Sequence, residues 1–350
     1  MKYKILSIDF ETQSACDLKT AGLYVYAKHP STDILCMAYA FDDGDVKLWR
    51  RGEELPEDIV SHITMDGDVS GHNVSFELQI WNTVGCFKYG WPELKVEQCH
   101  CTMAMSYAMG LPASLEKAAK ALGLHMQKDM VGSKIMLRMA LPKTDGSFHN
   151  EATSPSEFEV LYAYCLQDVE VERGIRGRLM PLSAHERKVW ILDQKINSRG
   201  IGIDVHAVQV ALEIVEVEQA RLNAEMKKAT HGIVERCTNA KQLSDWINLC
   251  GFKTEGVAKS AILDLLSRDD LPNDIRQALL LRQEAAKSST AKLVKMMEGL
   301  SSDGRVKGCF QYHGASTGRF SGRRVQFQNM PRPKLKQKEI DEIFKIFDGV

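Results

Sequence analysis

The chain has 350 residues, 44% of them hydrophobic and 26% charged, with a net charge of −1, which is the balance of a globular protein with room for two or three cored domains. No apolar run approaches the roughly 20 residues that cross a bilayer, and the opening MKYKILSIDF turns acidic too soon for a signal peptide, so a cytoplasmic protein with no membrane contact is expected. The charge is uneven: residues 1–180 hold 25 Asp/Glu against 18 Lys/Arg, and residues 303–350 hold ten Lys/Arg against five Asp/Glu, a pattern that suits a cation-using front and a polyanion-contacting end, and equally a solvated surface.

KILSIDFET reads as a strand. Ile5, Ser7, Asp9 and Glu11 fall on one face and Leu6, Ile8 and Phe10 on the other. Two carboxylates side by side on a core strand repel unless something positive lies between them, and a divalent cation is the usual answer. In DVSGHNVSFELQIW a short strand ends at Gly71-His72-Asn73 and leads into a helix with Phe76, Glu77, Ile80 and Trp81. Asn73 is the expected cap, and Glu77 on the first turns faces the strand end. Cys99-His100-Cys101 is the one Cys/His cluster, and without a second pair at zinc spacing it argues for buried free thiols.

TSPSEFEVLYAYCLQDVEVERGIRGRLM predicts a helix capped by Ser154 or Thr153, with Pro155 in its first turn and Glu157 completing a capping box. Phe158, Leu161, Tyr162, Cys165, Leu166 and Val169 make its buried stripe. Tyr164 and Asp168, four apart, share a face. After Pro181 the pattern is helical: 183–197 capped by Ser183, a short strand at Ile201-Gly202-Ile203-Asp204, then helices over about 205–230, from Thr238 or Asn239, 260–267, 273–286 and 288–300. Lys287, Ser288, Ser289, Thr290 and Lys292 stand at a helix junction. Their hydroxyls, amides and ammonium groups suit phosphate contact, and they fit a polar turn as well. GRVKGCFQYHGAST reads as two short strands. The following TGRFSGRRVQFQNMPRP mixes small hydroxyls, Arg, among them Arg323 and Arg324, and amides, as a surface made to lie against a polyanion would. KLKQKEIDEIFKIFDGV closes the chain as one amphipathic, basic segment.

Three of these stretches, in order, carry a resemblance. Asp9-Phe10-Glu11, then Asn73 to Glu77, then Tyr164 to Asp168, resemble the three motifs of the DEDD 3′–5′ exonucleases, the tyrosine pointing to the DEDDy subgroup. The departure is Glu77, where an Asp is usual. Thr317-Gly318-Arg319, Ser321, Gln326, Gln328, Asn329 and Pro331 resemble the T-G-R…QNIP segment of family A (DNA polymerase I-like) DNA polymerases. KSSTAKL resembles that family's thumb tip, and NSRGIGID the segment leading into the thumb. The Pro-Arg-Pro after the QNIP-like stretch and the Glu at 77 are most similar to phage-type members.

The resemblance implies an α/β fold class: an RNase H-like exonuclease domain over residues 1–180, with a mixed sheet flanked by helices. A connecting helix and strand over 181–204, a mainly helical thumb over 205–300 and the first strands of a palm over 301–350 would follow. It implies hydrolysis of DNA 3′ ends by a two-metal mechanism with Mg²⁺, or Mn²⁺ in its place. Asp9 would bridge the ions, Glu11 and Asp168 would complete the first site, Glu77 would support the second, and Tyr164 would aim the attacking water. Single-stranded DNA 3′ ends and primer–template DNA are the implied partners, in the cytoplasm of a bacterial or phage-infected cell. Arg319 would sense pair geometry in the minor groove. Gln328 and Asn329 would contact the duplex near the primer terminus, with Thr317 in the same segment and Asn73 at the single strand. The palm and fingers motifs that would follow in that family are not in this sequence. The alternatives are therefore one half of a split polymerase that needs a second chain carrying palm and fingers, or a non-catalytic DNA-binding subunit.

Overall fold

In the computed structural model the described residues are 4–124, 130–286, 289–330, 332 and 334–348. They fall into two compact units. The chain through Gly202 forms the first together with Glu298–Gln328, and Ile203–Met297 forms the second with the residues from Asn329 onward.

The first unit is built on a five-stranded mixed sheet. Its strands are β1 (Ile5–Gln13), β2 (Asp33–Phe41), β3 (Lys47–Arg50), β4 (Asp68–Gly71) and β5 (Cys99–Cys101), in the order β3-β2-β1-β4-β5. β1 is central, antiparallel to β2 and parallel to β4. Its apolar face packs Leu6, Ile8 and Phe10 into a core with Trp49, Trp81 and Trp91. Its other face is covered by the helix Pro155–Arg176, whose Phe158, Leu161, Cys165 and Val169 pack with Leu35, Ala38 and Ala40 of β2. A strand covered on both faces reads as nearly continuous apolar sequence, as DILCMAYAF does. Beyond Glu11 the β1–β2 register shifts, so that Thr12 pairs with Ile34 and Leu35 is the extra residue. Such bulges re-aim side chains locally.

Two expected caps differ. Asn73 takes a left-handed backbone (φ 69°) and turns the chain, while Val74 precedes the helix Ser75–Ile80 with no side-chain cap. The short polar side chain of Asn tolerates that conformation, and the conformation removes it from capping geometry. Ser154 precedes Pro155–Arg176 without capping it, and its hydroxyl instead lies 3.2 Å from His149 Nδ1. Ser183 and Asn239 do cap their helices, accepting from Glu186 N and Gln242 N.

The Cys99-His100-Cys101 stretch cannot gather a metal, because strand alternation divides it. The two thiols are buried in the core, while His100 Nε2 meets Asp68 Oδ1 at 2.9 Å. Six of the nine cysteines are buried, Cys16 and Cys86 are half-buried, and Cys250 is exposed.

Residues 184–202 and 298–328 join this unit through pairing that local sequence does not reveal. Ile201–Gly202 pairs with Arg305–Val306, and Phe310–Gln311 with Ser321–Gly322. Asn197 brackets Phe310, accepting from its N–H at 2.9 Å and donating to its carbonyl at 3.0 Å.

The second unit is helical: Val205–Ala229, Ala240–Leu249, Lys259–Leu266, Asn273–Ala285, most of Ser289–Glu298, and Gln337–Asp348. Leu222, Met226, Leu243, Trp246, Ile247, Ile262, Ile275 and Leu279 form its core. No helix among the described residues is long and apolar enough to cross a membrane.

Candidate metal centre and nucleic-acid surfaces

Period-two alternation on β1 sets Asp9 and Glu11 on the face that meets the helix Pro155–Arg176, and that helix brings Asp168 against them. One carboxylate oxygen from each of the three lies within 4.8 Å of the others. Glu11 is buried, whereas Asp9 and Asp168 are half-buried, so the cluster is open to solvent on one side. Among the described residues none of the three, nor Glu77, is held in an ion pair.

Burial and mutual repulsion govern their protonation. Asp9 is raised well above the ordinary carboxyl value by burial and then by the charge of Asp168, and Glu11 by burial and then by the charge of Asp9. Asp168 is raised by burial to about 6, against the lowering effect of a hydrogen bond with Tyr164. The Tyr164 phenol is itself raised, by burial and then by Asp168. It keeps its proton at neutral pH and lies one turn before Asp168 on the same helix. Three crowded carboxylates without a cation are costly, and an all-oxygen donor set of this kind suits a hard divalent ion such as Mg²⁺, Mn²⁺ or Ca²⁺.

Glu77 does not belong to that group of three. It sits in the first turn of Ser75–Ile80, 3% exposed, and its Oε2 has no hydrogen-bond partner among the described residues. Burial and then the charge of Asp9 raise it well above the ordinary value. A buried, orphaned carboxylate oxygen facing other carboxylates is what a second cation position would relieve.

Two neighbours escape a reading of the sequence as motifs. The Cys165 thiol lies 3.5 Å from the Asp9 carbonyl and 3.7 Å from Asp9 Oδ2. It reads as one more apolar residue of the stripe. Glu172, 3% exposed, accepts from Ser70 Oγ at 2.5 Å. Its position four after Asp168 is the only sequence signal it offers.

The expected nucleic-acid residues are placed as follows. Thr317 and Arg319 lie exposed on a turn in which Ala315 N donates to Arg319 O and Gly318 has φ 74°. Gln328 is exposed in the middle of the short helical turn Phe327–Asn329. Asn73, Arg323 and Arg324, some 250 positions apart in the sequence, line one cavity of about 340 Å³ with Asp193, Tyr107 and Gln311. Arg323 Nε donates to Gln311 Oε1 at 2.6 Å. Arg324 turns inward over Gly22, where a Cβ would stand 2.2 Å from its Nη1. Asp193, which the sequence did not single out, is 3% exposed and raised by burial to about 7. In the helical unit Lys292 Nζ donates to the Asn329 carbonyl at 2.6 Å, and Thr290 is half-buried on the same helix. Lys287 and Ser288 lie outside the described residues, and Ser289 begins the helix Ser289–Glu298.

With this geometry in hand, comparison with known proteins adds kinship. No family model matches the chain. It is 38% identical over 347 residues to a protein named DNA polymerase from Bacillus phage SP02, a match covering 95% of this chain and 52% of that protein. The chain thus spans about half the length of the curated relative it matches. Its fold resembles the POL domain of Pol1 from M. smegmatis, solved in complex with DNA primer–template and dNTP. That similarity has a TM-score of 0.52 at 16% identity and covers 98% of this chain and 54% of that one. The chain is therefore related to a phage DNA polymerase, and a polymerase domain shares its fold.

Proposed function

We propose that this chain is the 3′–5′ exonuclease and primer–template-binding portion of a DNA polymerase I-like (family A) DNA polymerase. The observation that carries the reading is the convergence of Asp9, Glu11 and Asp168, with Tyr164 one turn before Asp168 on the same helix, in the order of the three DEDDy motifs. The kinship to a phage DNA polymerase supports it. In this reading residues 1–180 are the exonuclease domain, 181–204 the connector, 205–300 a thumb and 301–350 the start of a palm.

Asp9, Glu11 and Asp168 would hold one Mg²⁺, and Asp9 with Glu77 a second. Bound there, the two ions would supply an activated hydroxide and a counter-charge for the departing 3′ oxygen. The chain's own work is positioning. Tyr164, held protonated beside Asp168, would orient the attacking water. The half-buried faces of Asp9 and Asp168 leave a path for the scissile phosphate. The cavity shared by Asn73, Arg323 and Arg324 receives the unpaired strand near its end, its two Arg neutralising phosphates. The exposed Thr317, Arg319 and Gln328, together with Lys287, Ser288, Ser289, Thr290, Lys292 and Asn329, contact the duplex. Their backbone-directed contacts give salt-sensitive affinity without sequence preference.

The test is a 5′-labelled single-stranded DNA incubated with Mg²⁺ and the protein, beside Asp9→Ala. Stepwise shortening that vanishes in the variant is expected. Intact 3′ ends with both Mg²⁺ and Mn²⁺ would overturn the reading.

A further inference from the structure

Glu172 is a buried acid of the first unit that the proposed chemistry does not use. Glu172 lies on the helix Pro155–Arg176 one turn beyond Asp168 and on the same face. It is 3% exposed. Its Oε1 accepts from Ser70 Oγ at 2.5 Å, and its Oε2 has no hydrogen-bond partner among the described residues. Ser70 belongs to β4, the strand that leads into the turn before Glu77. One further turn along the helix, Arg176 Nη1 donates at 3.1 Å to Ser7 Oγ, two residues before Asp9 on β1. Glu172 and Arg176 thus join the helix bearing Asp168 to both strands that position the other acids.

The Ser70 bond alone would not need a carboxylate, although Arg176 and Arg173 favour its charge. A Gln at 172 could accept from Ser70 without the cost of burying a charge. The carboxylate also stands beside the acids, since its partner Ser70 is paired across the sheet with Ser7, two residues before Asp9 on β1, and Asp168 is one turn away on its own helix. A fifth acid that makes the empty cluster less stable makes a cation in it more stable. Outer-shell partners act on bound metals in this way.

We infer that Glu172 is a positioning residue of the cation centre, an outer carboxylate whose charge tightens divalent-cation binding by Asp9, Glu11, Asp168 and Glu77. The inference rests on the reading of those four acids as metal ligands, and its test separates the two. Mn²⁺ is titrated into the full chain and free Mn²⁺ is followed by electron paramagnetic resonance, for the unaltered protein, Glu172→Gln and Glu172→Asp. Glu172→Gln keeps the Ser70 bond and is expected to bind Mn²⁺ about tenfold more weakly. Glu172→Asp keeps the charge and is expected to recover most of that loss. Equal Mn²⁺ affinity in Glu172→Gln and the unaltered protein, or equal loss in both variants, would overturn the role of the charge. An unaltered protein that binds no Mn²⁺ would overturn the metal-centre reading and this inference with it.

Discussion

The carboxyl of Glu77 is enclosed by protein and meets no donor among the described residues at its Oε2. A buried polar group in that state costs about 1–3 kcal/mol, more as it becomes charged, and Asp9 and Glu172 oppose its ionisation. Stability and the proposed chemistry therefore pull in opposite directions at this residue. Glu77→Gln removes the charge and keeps the shape. In EDTA at about pH 8 the variant is expected to melt roughly 3 °C higher than the parent, equivalent to about 1 kcal/mol, while its exonuclease rate falls. A variant that melts lower would show that Glu77 is already satisfied in the metal-free fold. Glu also bears on the departure from the Asp that the motif usually has. The extra methylene carries the carboxylate further from the helix Ser75–Ile80, and Glu77 stands outside the group of three.

At the level of elements, the strand that carries the acids is braced by a single π-helical turn, Trp81–Gly85. Such turns recur near functional sites. Gly85 has no room for a side chain, since a Cβ there would fall 2.4 Å from Cε3 of Trp91. That ring is packed among Phe10, Trp49 and Trp81 at centroid distances of 6.0, 5.0 and 4.7 Å. It cannot move away cheaply, and overpacking of this kind costs about 1–3 kcal/mol. Gly85→Ala is expected to lower the urea midpoint by that free energy divided by the slope, the slope itself unchanged, as followed by tryptophan fluorescence. Because Phe10 lies between Asp9 and Glu11, the displaced ring would also disturb the carboxylates, so loss of exonuclease rate should exceed the loss of folded protein. Alternation along β1 told the sequence reader which face Asp9 and Glu11 share, and spacing of four did the same for Tyr164 and Asp168. The same spacing of four joins Glu172 to Asp168, but Val-Glu-Val-Glu-Arg reads as a solvated helix end and hides that signal. Its partner Ser70 is 102 residues earlier. The π turn, the bulge at Leu35 and the left-handed Asn73 were hidden for the same reason: each is imposed by tertiary packing rather than by local preference.

For the molecule as a whole, the cluster links folding, protons and metal. In the folded chain Asp168 holds its proton to about pH 6, whereas an unfolded Asp releases it near pH 4. Asp9, Glu11 and Glu77 are displaced in the same direction. Across that window the folded state binds more protons than the unfolded one, so these groups lose stability as pH rises. His72 and His100 act in the opposite sense. Burial holds both below the ordinary imidazole value, so their contribution grows as pH rises. The raw melting curve mixes the two signs, and the informative quantity is the increment in melting temperature on adding Mg²⁺. A cation must displace the protons the acids retain, so it binds poorly at low pH and stabilises by mass action once they are gone. The increment should be small near pH 5 and several-fold larger near pH 8, and Asp9→Ala should abolish it at both. A Mg²⁺ increment of the same size at the two pH values would mean that the ion binds elsewhere and that the converging acids on β1 and the helix Pro155–Arg176 do not hold it.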